Sequence, residues 1–117
     1  MVEDKAKELG RLIGQSSEYQ GLKRASEALN DDKESVTLLQ EMEKLRGEAQ
    51  QLIQRGESPT PDMEQKLDAL LEKIQTQAAY QRAVSAQENF DKLMAHVNQW
   101  IMDGMKKGAA SPNITLS

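Results

Sequence analysis

Along most of the chain apolar residues recur at intervals of three and four, the spacing of one face of a helix, and no stretch alternates as a half-buried strand would. Over residues 3–14 the face is Ala6, Leu9 and Ile13, with Leu12 on the flank. Glu3 and Asp4 favour the positive end of this first helix, and Gly14 is its expected stop. Ser17-Glu18-Tyr19-Gln20 has the form of a capping box, in which the Ser17 hydroxyl accepts from the Gln20 amide and the Gln20 side chain reaches back. A second helix then runs to about Leu29, with Tyr19, Leu22, Ala25 (or Ser26) and Leu29 on its apolar side.

Asn30-Asp31-Asp32 predicts a break, with Asp31 and Glu34 as a second capping pair. The third helix is expected from about Asp32 to Arg55. Its stripe Leu38, Met42, Leu45, Ala49 and Leu52 is heptad-like, widened by Leu39 and Ile53. Gly47 lies off that stripe, at a cost of about 1 kcal/mol relative to alanine. Gly56-Glu57-Ser58-Pro59-Thr60-Pro61 is the clearest loop: Gly56 ends one helix, Thr60 caps the next, and Pro61 occupies a first helical position where its missing N–H costs nothing. The fourth helix carries Met63, Leu67, Leu70 and Ile74, with Leu71 beside them and Asp62–Lys66 as a favourable pair one turn apart.

A fifth stretch repeats the heptad-like spacing through Tyr80, Ala83, Gln87, Phe90, Met94, Val97 and Ile101, while Ala86, Leu93 and Trp100 form a neighbouring row seven apart. At about 100° per residue Tyr80 lies roughly 120° from the line through Ile74, so the apolar face turns near Thr76-Gln77. Either the helix breaks there or one long helix bends. Lys106 and Lys107 favour a helix end, with Gly108 as its cap. The expected fold is all-α, an antiparallel bundle of four to five helices, two of them long, forming one domain over residues 1–107. Residues 108–117, small, polar and Pro-containing, are expected to be a disordered tail.

Composition narrows the picture. Only 38% of the 117 residues are hydrophobic and 3% aromatic, too little for a thick core. Slender apolar stripes on long helices, covered in part by a second chain, use such a composition better, which makes a homodimer or a hetero-complex the expected state. The eight positions singled out for that contact are Leu38, Met42, Leu45, Leu52, Phe90, Met94, Trp100 and Ile101. The net charge of −4 comes from 15 basic and 19 acidic residues spread evenly, without the clustered positive face that binding to a nucleic-acid backbone requires. No apolar run approaches the roughly 20 residues of a membrane span. The Met1-Val2-Glu3-Asp4-Lys5 start is unlike a signal peptide, so the cytoplasm is the default location and the Asn113-Ile114-Thr115 sequon is read as accidental.

Candidate chemistry is sparse. The chain has no cysteine, which removes disulfides, cysteine nucleophiles and cysteine-ligated zinc or iron–sulfur centres. His96, the one histidine, lies beside the apolar row with no second member of a catalytic constellation; it reads as a rim residue leaning on Trp100 one turn later. Asp31/Asp32 read as caps and Asp68/Glu72 as a solvated face, and there is no Glu-x-x-His, phosphate loop or nucleophile elbow. No enzyme, cofactor or metal site is expected. Met42, Met63 and Met94 read as core filling, whereas Met102 and Met105 around Trp100 form a possible contact surface, with Gly104 on the stripe where a partner backbone could approach.

The order Ser17-Glu18-Tyr19, Leu22, Ala25, Leu29, an acidic cap and a Leu38/Leu39 helix, then a Thr/Pro-capped helix and Ala86-Gln87-Glu88-Asn89-Phe90 leading into an aliphatic last helix, resembles the YlbF/YmcA family of small helical bacterial proteins, including its YheA-like branch. The resemblance covers roughly residues 3–105. It implies a helical fold, assembly into dimers or hetero-complexes, and a regulatory role. The best-understood members join a cytoplasmic complex that modulates the endoribonuclease RNase Y and so affects mRNA processing, competence, sporulation and biofilm formation; the YheA-like branch has no firmly assigned activity. Some members carry cysteine-bound iron–sulfur clusters, which this chain has no cysteine to hold, and an Asn-Pro break of the family is replaced by Thr76-Gln77. The leading expectation is a regulatory adaptor. Its competitors are a chaperone-like or storage helical protein without a defined partner, and a direct RNA binder.

Overall fold

The computed structural model describes residues 1–110, so residues 111–117, which hold most of the expected tail and the sequon, lie outside it. The described chain is five helices: α1 (Val2–Gly14), α2 (Ser17–Asp31), α3 (Lys33–Gln54), α4 (Pro61–Gln75) and α5 (Ala78–Ala110). The two long helices are α3, of 22 residues, and α5, of 33. Gly108 does not end α5, which continues through it to Ala110.

Local chemistry fixes the ends. α2 is capped by Ser16 rather than Ser17: the Ser16 hydroxyl accepts from the Tyr19 amide at 3.1 Å, and Ser17 is already helical. Gln20 does not reach back to a capping serine; its Nε2 donates to the Gly14 carbonyl at the end of α1, at 2.8 Å. The α4–α5 junction repeats the device. There the helix breaks at Thr76-Gln77, the Thr76 hydroxyl donates to the Lys73 carbonyl at 2.7 Å, and Gln81 Nε2 donates to the Gln75 carbonyl, the last of α4, at 2.6 Å. At both junctions a glutamine in the first turn of one helix ties down the end of the helix before it, satisfying a carbonyl that has no partner within its own helix.

The α2–α3 break is shorter than the sequence predicts. α2 runs on through Asn30 and Asp31, and Asp32 alone separates the helices. Its carboxylate accepts not from a backbone amide but from the hydroxyl of the fully buried Ser35, at 2.6 Å. The α3–α4 loop forms as expected. Gly56 adopts φ +82, the Gly56 amide bonds to Ile53 and the Glu57 amide to Leu52, a Schellman ending that closes the last carbonyls of α3. Thr60 then caps α4 through its hydroxyl to the Met63 amide, 3.2 Å, with Pro61 at the first position.

α2 packs along α5, α3 packs along α4, and smaller contacts join α2 to α3, α4 to α5 and α1 to α2. The core is small: a knot of Leu38 and Met42 of α3 against Leu70 and Ile74 of α4, with Leu39, Leu45, Leu67, Leu71 and Tyr80 packed around it, and Val97 of α5 buried apart from it. The molecule measures 64 × 37 × 19 Å with a radius of gyration of 21.3 Å. A compact chain of this length would have about 13 Å. The bundle is therefore open and flat, two helix pairs meeting at the knot instead of one closed barrel of helices.

Candidate functional site

The eight positions expected at a contact separate into three groups. Leu38 and Met42 are buried, at 8% and 3% exposure, inside the chain's own knot. They are spent on folding because α4 comes back along α3 and covers that half of the stripe. Leu45, Leu52, Phe90 and Met94 are half-buried. Phe90 is met by Tyr19 of α2, ring centroids 5.8 Å apart and planes tilted by 60°, an edge-biased aromatic contact that ties α2 to α5. Trp100 and Ile101 stand exposed, at 61% and 45%.

The last third of α5 is where apolar surface is left bare. Beyond the buried Val97, Trp100, Ile101, Met102 and Met105 all face solvent, and Gly104 among them has open space around its Cα. His96 stacks on Trp100 with centroids 5.9 Å apart and planes at 28°, as the one-turn spacing predicts. On α1, Val2 and Leu12 are exposed as well. Large apolar side chains clustered at one helix end and rimmed by Lys106, Lys107 and Asp103 have the make-up of a protein-contact surface.

A second feature was only half legible in the sequence. Along one side of the α2/α5 pair, two hollows of about 450 and 810 Å³ share Gly21, Ala86 and Asn89 and so form one continuous groove. Its α2 wall is Ser17, Gly21, Arg24 and Ala28, spaced 4-3-4; its α5 wall is Arg82, Ala86, Asn89, Leu93 and His96, spaced 4-3-4-3, and leads to Trp100 four residues on. The Ala86/Leu93/Trp100 row signals this side of α5. The polar residues between those three, and the small residues of α2, give no apolar period, which hid the rest. Among the described residues, no group of three or more His, Asp or Glu side chains is placed to hold a metal ion, and no helix is long and apolar enough to cross a membrane. Every buried side-chain polar atom among them has a hydrogen-bond partner.

Comparison with known proteins places this architecture. The chain is 26% identical over 102 residues to a UPF0342 protein of Streptococcus gordonii, covering 87% of this chain and 91% of that one. It is 32% identical over 87 residues to a UPF0342 protein of Streptococcus mutans (74% and 77% covered). A UPF0342 protein of Bacillus mycoides is 26% identical over 106 residues, with 91% of each covered. Among solved structures, a chain in the X-ray crystal structure of Bacillus subtilis RicA in complex with RicF superposes with a TM-score of 0.78 at 16% identity, over 91% of this chain and 94% of that one, which shows a shared fold. The family model described as "Control of competence regulator ComK, YlbF/YmcA" matches residues 2–106, and with nearly the whole chain accounted for, this protein belongs to the YlbF/YmcA family.

Proposed function

We propose that this chain is a non-enzymatic regulatory adaptor that works by helix-mediated assembly with other proteins. What carries the proposal is the bare apolar end of α5, where Trp100, Ile101, Met102 and Met105 are each about half exposed or more. The open shape supports it. A compact chain of 13.1 kDa would expose about 6,400 Å², whereas this one exposes 9247 Å². A specific interface removes about 1,600 Å² in total, so the molecule has surface to give up. A chain of the same fold is found in a complex of two different proteins, RicA with RicF, and the family is described by its control of a competence regulator.

The family resemblance gives the finer form of the proposal: a cytoplasmic part in RNase Y-dependent mRNA processing and in development. With no cysteine in the sequence, that part is played without a cysteine-ligated cluster of the chain's own. The test is affinity capture from lysate combined with light scattering, using the wild type and Ile101→Glu with Met105→Glu. The wild type should return a small repeatable set of proteins or a mass above that of a monomer. The double variant should lose that association with an unchanged melting temperature, because both side chains are exposed. A monomer at tens of micromolar that captures no reproducible partner, or a double variant that associates as the wild type does, rejects the adaptor reading.

A further inference from the structure

Resting on the adaptor reading, we infer that the α2/α5 groove receives an acidic amphipathic helix from another protein, as the third strand of a three-helix arrangement. The groove has the form of a helix seat. Both walls keep heptad-like spacing, so a helix laid between them stays in register with each along its length. Gly21 and Ala86, the small residues that line both hollows, leave room at the middle, and a side-chain carbon built at Gly21 meets nothing within 4 Å. One turn past the groove's end at His96 stands the exposed Trp100, a large flat anchor of the kind enriched at binding centres.

Charge selects the occupant. The lining includes Arg24, Arg82 and Lys92 against a single carboxylate, Glu18, on a chain whose net charge is −4. None of the three cations has an ion-pair partner among the described residues; the ion pairs present involve other lysines and the N-terminus. Glutamate or aspartate along the flanks of an incoming helix would meet all three. Like-charge repulsion would turn away a basic helix, so charge sets specificity here more than affinity. A nucleic-acid strand would also meet the cations, but it does not need two heptad-spaced walls with small residues between them.

The single tryptophan makes occupancy readable, because it lies one turn beyond the groove and its emission should move to shorter wavelength when a helix covers it. The probes are a synthetic four-heptad helix with Leu and Ala at its inner positions and Glu at its flanks, the same helix with Lys at its flanks, and a uridine oligonucleotide. The full chain should bind the acidic helix with a blue shift, and the Lys version at least about tenfold more weakly. Gly21→Phe, which fills the groove from an open position, and Arg24→Glu with Arg82→Glu, at exposed positions, should each weaken the acidic helix about tenfold or more while keeping the wild-type helical content; Gly21→Ala should bind nearly as wild type. No binding of the acidic helix, equal binding of both helices, or indifference to Gly21→Phe would overturn the inference. So would tighter binding of the oligonucleotide than of the acidic helix, or a blue shift produced by protein concentration alone, which would put a second copy in the groove. Should the groove variants still capture the wild-type set of lysate proteins, the adaptor reading stands and only the groove assignment fails.

Discussion

Ile74 is fully enclosed at the centre of the knot, and few residues share the load with it: among the described residues only Leu38, Met42, Leu70 and Val97 are buried apolar side chains besides. Removing its branched chain leaves a void where the surrounding helices have little else to collapse onto. Ile74→Ala should therefore cost about 2–5 kcal/mol in urea unfolding, a large part of the stability of so thin a domain. Gly56 carries a different kind of weight. Its φ of +82 is needed for the two amide bonds that finish α3, and an L side chain there is strained although space is free around it. Gly56→Ala should destabilise by about 1–2 kcal/mol with no change in helical content measured by circular dichroism. Ser35 is small because it must be: with no exposure and its hydroxyl on Asp32, Ser35→Leu should overpack the α2–α3 turn and lower stability by about 1–3 kcal/mol in the same assay.

At the scale of elements, the number, order and kind of helices follow from the period of apolar residues, and the Thr60/Pro61 start and Gly56 stop follow from cap chemistry. What the linear pattern misplaced are choices between near-equivalents. Ser16 and Ser17 are the same residue type one step apart, and the Gln20 that made Ser17 look like a capping serine is used to bond across the junction to Gly14. Asp31 and Asp32 pose the same ambiguity, resolved by a buried Ser35 that a one-dimensional reading ranks as polar surface. The heptad-like stripe of α3 was legible as a seam, but not who covers it. α4 takes Leu38 and Met42 into the chain's own core, leaving Trp100 and Ile101 as the exposed members of the original set. Leu45 stands at the border of that core, half-buried against the knot. Leu45→Asp should cost about 1–3 kcal/mol and broaden the thermal transition, since a carboxylate there loses water without gaining a partner. An unchanged melting curve would take Leu45 out of the core.

For the molecule as a whole, one small knot holds together helices that extend far from it. The chain spans 64 Å, and both the α3–α4 loop and the end of α5 lie on helices that run well past the buried residues. Cohesion is thus concentrated at the knot and along the α2/α5 pair as far as Val97, and thins toward the extremities. Native-state hydrogen exchange should show a gradient, with the slowest amides around Leu70 and Ile74 and the fastest in α1, near Gly56 and after Val97. From this unevenness a thermodynamic lever follows. Any molecule that grips an extremity stabilises the segment most prone to fray, and the folded state gains the free energy of that grip. Binding far from the centre would then raise the unfolding temperature without altering one buried contact, and slower exchange at the tips would mark where the grip is.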